Sequence, residues 1–271
     1  MYEKIFSQVD AVYSICMPVY NQEDIIHRVL QGIVSCTSDL YEIILVCDCC
    51  SDGTEKVIRE WIETIYSEKL TRIVLFVTTH PQFETKADNM CFKHSKGKYI
   101  IEIQADMVMT QTGYNLELQK PFKKLDNVIA VSGNFCCDRY HTNGHGRIAA
   151  WMEPVGNVRK GVFYVNETCN RGPLMIDREK LVAMNYLDEI NYFQDNSDHD
   201  LMARAYDEHG WICGYVYIEF LVEKEWGSTR KVSDQKNIEA FALRKTQVNE
   251  RRCLEIFNRH PVREVKEILL S

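Results

Sequence analysis

Apolar residues in this chain fall into short continuous runs that end in polar loops, and between the runs the spacing changes to that of helices. Val12 to Val19 (VYSICMPV) is the first run, rich in β-branched and apolar residues, and Tyr41 to Cys47, Arg72 to Val77 and Tyr99 to Ile103 repeat it. Between them Ile25, Ile26, Val29, Leu30 and Ile33, then Val57, Ile58, Trp61, Ile62 and Ile65, recur at helical spacing, and Lys86 to His94 reads as a third helix. Runs that are apolar at nearly every position belong to strands buried on both faces. Strand and helix in alternation predict an α/β fold with a mostly parallel sheet flanked by helices. Residues 1–10 read as a lead-in, not an element.

Beyond Val128 the alternation loosens. Val128 to Val131, Phe163 to Val165 and Pro173 to Ile176 read as strands, Arg178 to Met184 as a short helix, and Tyr215 to Val222 as a last strand. The segment Asn134 to Arg147 has few apolar residues and reads as a long functional loop, with His141 and His145 as surface histidines or, in the alternative, as ligands or substrate contacts. Asp195, Asp198 and Asp200 open a helical run over Met202 to His209, where negative charge suits a helix N-terminus. Capping explains one of the three, and a general base is the natural role for another. Val232 to Leu270 reads as helical, with Phe241, Leu243, Leu254, Ile256, Phe257, Val265 and Ile268 as packing positions.

The chemistry gathers where the first strands end. Tyr20 and Glu23, then Asp48, then Gln104, Ala105 and Asp106 follow successive strands, and ligands of open α/β sheets bind at that edge. A carboxylate such as Asp106 suits a divalent cation bridging phosphate oxygens, and a plain capping role is its alternative. No glycine-rich dinucleotide fingerprint or P-loop is present.

Composition narrows the partners. With 271 residues and 45% hydrophobic content the chain can bury a large core, and its net charge of −7 argues against nucleic acid as the main partner. Eleven cysteines lie mostly in apolar runs, a pattern of reduced thiols and a cytoplasmic setting. Neither Cys49-Cys50 nor Cys136-Cys137 has the two-residue gap of a zinc site. No apolar run reaches the roughly 20 residues of a transmembrane segment, so the expected protein is cytoplasmic, at most peripheral to a membrane.

In their order and spacing these segments resemble the family 2 glycosyltransferases of the GT-A fold, from about Tyr13 to Arg230. Ser14 to Asn21 is similar to the family's opening "S-x-x-x-P-x-Y-N", which includes Pro18 and Tyr20, with Glu23 at a position that is often acidic. Cys47 to Thr54 resembles "D-D-x-S-x-D-G-T", with Cys47 in place of the first aspartate and Asp48 kept. Lys86-Ala87-Asp88-Asn89 is similar to "A-R-N" but carries Asp88 where arginine is common, which makes Lys86 the phosphate or base contact. Gln104-Ala105-Asp106 resembles the metal motif "D-x-D" with glutamine first, and an amide can still bond a ribose hydroxyl. Ser197 to Leu201 looks like "E-D-x-D-L", whose catalytic base falls on Asp198.

The resemblance implies an inverting, metal-dependent transferase that moves a sugar from a nucleotide-sugar donor, a UDP-sugar, to a hydroxyl of a glycan or other acceptor. It implies a GT-A, Rossmann-like domain over residues 1–230, with a nucleotide-binding half at 1–106, an acceptor-binding half at 107–230, and a helical extension at 231–271. Asp48 would accept from uracil with Tyr20 stacked on the ring, and Mn2+ or Mg2+ would sit on Asp106 and Glu225, with Glu223 as rival ligand. Trp151, Tyr164, Asn170 and Arg171 are the expected glycan contacts. Three other readings compete. A nucleotidylyltransferase should carry an early glycine-rich basic loop, which Pro18 to Asp24 is not. A catalytically inactive nucleotide-sugar-binding module fits the loss of two carboxylates at Cys47 and Gln104. A generic doubly wound domain would leave the acidic loops merely solvated.

Overall fold

The computed structural model describes residues 1–133, 158–194, 196–222, 235–249, 255 and 266–270. In chain order the first elements are β1 (Tyr2–Ile5), β2 (Tyr13–Val19), α1 (Ile26–Cys36), β3 (Tyr41–Cys47), α2 (Thr54–Thr64), β4 (Leu70–Val77), α3 (Phe83–His94) and β5 (Tyr99–Glu102). They continue with β6 (Met107–Met109), α4 (Tyr114–Lys124), β7 (Val128–Ser132), β8 (Val162–Asn166), β9 (Leu174–Asp177) and α5 (Arg178–Ala183). The last are α6 (Ser197–His209), β10 (Ile212–Tyr215), β11 (Phe220–Val222), α7 (Gln235–Lys245) and β12 (Lys266–Leu269).

One large sheet runs β1-β4-β3-β2-β5-β9-β7-β10-β8-β12. Strands β4, β3, β2 and β5 are mutually parallel, which is the part that the run-and-helix alternation predicts. Past β5 the sheet is mixed: β9 lies antiparallel between β5 and β7, and β10 pairs parallel with β7 and antiparallel with β8. A second, two-stranded piece joins β6 to β11.

Alternate strand positions face opposite cores. Ile15, Met17, Ile43 and Leu45 pack under α1, α2 and α4 through Ile26, Leu30, Trp61 and Tyr114. Cys16, Ile44, Val46 and Ile100 face α3, α5 and α6 through Ala87, Cys91, Leu181 and Leu201. Every residue of β3 is buried, as its unbroken apolar run requires.

Three readings of the sequence change. The lead-in contains a strand: β1 pairs antiparallel with β4, and its half-buried YEKI shows too little apolar pattern to announce it. The expected helical extension is helical at α7 but ends in a strand, because Ile268 and its neighbours complete the hydrogen bonds of the exposed edge of β8. The single last strand is two, β10 in the large sheet and β11 paired with β6. The Asn134 to Arg147 loop, with His141 and His145, lies outside the described residues, as does Trp151.

Candidate active site

The loops leaving β2 and β3 are built as one unit. Asn21 and Ser51 exchange two hydrogen bonds, Nδ2 to Oγ at 3.1 Å and backbone N–H to Oδ1 at 2.9 Å. The Gln22 N–H donates to Thr54 Oγ1 at 2.7 Å, and Glu23 Oε2 accepts the Gly53 N–H at 2.8 Å. Glu23, expected at the donor, is thus engaged in joining the two loops. A Cβ on Gly53 would stand 2.4 Å from its carboxylate, so a side chain there would displace the Glu23 carboxylate from this bond. Pro18 lies in β2 beyond the last residue that pairs with β5, and Tyr20 is half-buried at the strand's exit.

Asp48 is buried at the end of β3 and caps the start of α3. Its Oδ1 accepts Thr78 Oγ1 at 2.7 Å and the Gln82 N–H at 2.9 Å, and Oδ2 accepts the Phe83 N–H at 2.9 Å. Burial pushes this carboxyl up, while those hydrogen bonds and the charge of Lys86 oppose it. Lys86 is exposed on the next turn of α3, so the structure brings these two expected donor contacts together.

The same loop holds a pair that adjacent-cysteine counting misses. Cys47 and Cys50 are spaced C-x-x-C, and the Cys47 thiol donates to Cys50 Sγ at 3.2 Å. That hydrogen bond and then burial raise the Cys47 thiol; the same bond lowers that of Cys50. Both are free thiols, as are the other described cysteines.

At the end of β5 the chain turns through half-buried Gln104 into buried Ala105 and Asp106, with the Met107 N–H donating to Gln104 O at 3.0 Å. Gly172, at φ +58°, lies against this turn: a Cβ there would meet Met107 Sδ at 2.7 Å and Gln104 N at 3.2 Å. Val222 of β11 stands opposite Met107, one residue past Asp106. Glu223 and Glu225 lie outside the described residues.

Asp198 occupies the first turn of α6, which begins at Ser197, five residues before the run read from the sequence. Its Oδ1 accepts the His199 N–H at 2.9 Å, and Oδ2 lies 3.8 Å from Arg171 Nε. Burial works against its charge, but His199 and Arg171 together hold the carboxyl below the usual aspartate range. Asp200 is taken by Arg204, whose Nε donates at 2.7 Å while Nη1 donates to Met184 O. Asp195 lies outside the described residues.

Arg171 is the residue the sequence reading misplaces. It is turned inward instead of toward a glycan: Nη1 lies 2.5 Å from Glu84 and 2.8 Å from Asp88, and Nη2 donates to Ser197 Oγ. Tyr164 is likewise engaged inside, stacked on Tyr215 at 5.0 Å. Asp88, at a place where the resemblance to the family leads to arginine, was the available signal, since a buried carboxylate in α3 needs a cation from elsewhere. Glu84, Asp88 and Glu102 bring ligand atoms within 4.8 Å of one another, a spacing a metal could use, but the guanidinium already bridges two of them.

Among the solved structures that share this fold are glycosyltransferases of the GT-A type. S. aureus TarS in complex with UDP-GlcNAc superposes with a TM-score of 0.56 at 15% identity, over 92% of this chain and 72% of that one. The mannosyltransferase PcManGT from Pyrobaculum calidifontis, with GDP-Man and Mn2+, gives 0.58 at 15% identity over 94% and 72%. GalNAc-T7 with UDP, GalNAc and Mn2+ gives 0.59 at 14% identity over 78% and 43%. The chain belongs to glycosyl transferase family 2, whose sequence profile matches residues 14–179. An uncharacterized glycosyltransferase of Haemophilus influenzae is 32% identical over 129 residues, which span 46% of this chain and 48% of that relative.

Proposed function

We propose that this chain is an inverting glycosyltransferase that moves a sugar from a UDP-sugar to a hydroxyl of a glycan or another acceptor. The observation that carries the reading is Asp198: a buried carboxylate held ionised at a helix start, with 11% of its side chain still open. An ionised carboxylate in that setting can take the proton of an attacking hydroxyl. The acceptor oxygen then bonds to the anomeric carbon as the bond from that carbon to the diphosphate breaks, and the nucleoside diphosphate leaves from the opposite face.

Asp48 and Lys86 are the nucleotide contacts in this reading, and Gln104 bonds the ribose. The buried carboxylate of Asp106 fits a hard cation such as Mn2+ or Mg2+, and β11 leaves the sheet beside it, which supports Glu225 or Glu223 as a further ligand. Such a cation would offset the charge that develops on the departing diphosphate. TarS and PcManGT, solved with UDP-GlcNAc and with GDP-Man and Mn2+, support a nucleotide-sugar donor of one of these kinds. The free described thiols support a reducing, cytoplasmic setting.

The test compares Asp198→Asn with the unaltered protein, measuring hydrolysis of UDP- and GDP-sugars with manganese and binding of the free nucleotides. The reading expects loss of hydrolysis with nucleotide affinity retained. Turnover that survives the substitution moves the base elsewhere. Nucleotide binding without hydrolysis of any donor by the unaltered protein is the outcome expected of an inactive binding module.

A further inference from the structure

Glu84, Asp88, Glu102 and Asp198 come from α3, the end of β5 and α6, and a single guanidinium, that of Arg171, pairs with three of them and bears on Glu102 through its charge. Arg171 reaches Glu84 and Asp88 with Nη1, Ser197 Oγ with Nη2, and stands 3.8 Å from Asp198 with Nε. Both Glu102 and Asp88 are almost wholly inaccessible, and Glu102 Oε1 and Asp88 Oδ1 have no hydrogen-bond partner among the described residues. Three buried carboxylates and the half-buried Glu84, gathered around one guanidinium, cannot all stay ionised without a large desolvation cost.

The geometry decides which of them keeps its charge. Asp198 has the His199 N–H on one oxygen and the guanidinium beside the other, with His199 adding a further favourable charge. Glu102 Oε1 has no donor among the described residues, and Glu102 faces Asp88, Glu84 and Asp198 as well as Arg171. Protons therefore settle on Glu102 and Asp88, and negative charge on Asp198.

We propose that Arg171 is the positioning residue of the transfer reaction, fixed on Glu84 and Asp88 so that its guanidinium and its bond to Ser197 hold Asp198 ionised and aimed at the acceptor. This rests on the reading of Asp198 as the base. Arg171 does not touch the reacting atoms. It acts through Asp198 and through the first turn of α6, and it ties that turn to α3, whose own start is capped by Asp48. Gly172 fixes the height of the arginine, because its backbone lies against Gln104 and Met107 with no room for a side chain. Donor contact, metal motif and base are thereby connected through one short segment of chain.

The test is a carboxyl 13C titration of the full chain, with the Asp198 signal assigned by its disappearance in Asp198→Asn. Asp198 is expected to titrate below the ordinary aspartate value, and in Arg171→Gln to move up by about one pH unit or more, the scale of a neighbouring opposite charge. Arg171→Gln leaves Glu84 and Asp198 without the guanidinium between them, so Arg171→Gln combined with Asp88→Asn, which removes the titratable Asp88 carboxyl as well, is measured beside it. An upward shift in either folded variant, with UDP affinity within about twofold of the unaltered protein, supports the proposal. An Asp198 titration that stays in place in a folded variant overturns it, whatever the donor turns out to be. Donor hydrolysis separates this from the underlying reading: turnover lost in Asp198→Asn while the titration of Arg171→Gln is unmoved removes the role of Arg171 and keeps that of Asp198, and turnover retained in Asp198→Asn removes both.

Discussion

Nη1 of Arg171 donates to Oδ2 of Asp88 at 2.8 Å, joining two buried residues 83 positions apart in the chain. Asp88 lies in the stretch Lys86-Ala87-Asp88-Asn89 of α3, and its hydrogen-bonding cation arrives from the approach to β9. Removing the guanidinium leaves the charge of Asp198 uncompensated in the core, and breaking a buried pair from one side costs about 3–5 kcal/mol. Arg171→Met should therefore lower the urea midpoint strongly. Arg171→Met combined with Asp88→Leu should recover part of the loss, because the buried carboxyl left without its hydrogen-bond donor goes with it.

The same cluster sets a dependence on pH. Burial pushes Asp88 up to about 8 and Glu102 well above the glutamate range, with the neighbouring carboxylates adding to the effect. Each binds its proton more tightly folded than unfolded, so the stability this contributes is complete below the ordinary carboxylate value and is lost as pH rises above it, for Asp88 toward about 8. Asp198 runs the other way: its contribution is present above the ordinary value and is lost on acidification. Glu102→Gln, which fixes the neutral form, should raise the melting temperature at pH 8 more than at pH 6, as thermal unfolding at the two pH values will show.

Asp48 has two roles that one substitution separates in magnitude. It caps α3 through the Gln82 and Phe83 N–H groups and, in the proposed function, contacts the base. Asp48→Ala should cost about 1–2 kcal/mol of stability, the scale of a lost helix cap. It should also weaken UDP about tenfold or more, near 1.4 kcal/mol. Calorimetric titration beside a melt checks both.

The thiols of the same loop should differ in reactivity. Cys50 is half-buried with its thiol lowered by the bond from Cys47, whereas Cys47 is raised and buried, as are Cys16 and Cys36. A limiting dose of iodoacetamide at pH 7.5 should label Cys50 ahead of these three, read by peptide mass spectrometry.

The parallel half of the sheet was legible because its strands are buried on both faces and its helices are amphipathic: YEIILVC admits little else, and Ile26, Val29, Leu30 and Ile33 mark one face of α1. The edges were not. β1 and β12 are stabilised by hydrogen bonds to β4 and β8, partners that a local pattern does not reveal. α4 was hidden by Pro121 within it. At the site, Asp48, Asp106 and Asp198 follow strands or open a helix at recognisable spacing, so their positions could be read. The use of Arg171 could not, since its partners lie in α3 and α6 and only the odd aspartate at position 88 pointed to a missing cation.

The most direct test of the donor site is calorimetric titration of UDP into the unaltered chain and Asp106→Asn, each with and without manganese. The account predicts manganese-dependent binding by the unaltered chain that falls about tenfold or more in Asp106→Asn, the scale of one lost charged contact. UDP binding that is indifferent both to manganese and to Asp106, or no binding at all, would contradict it.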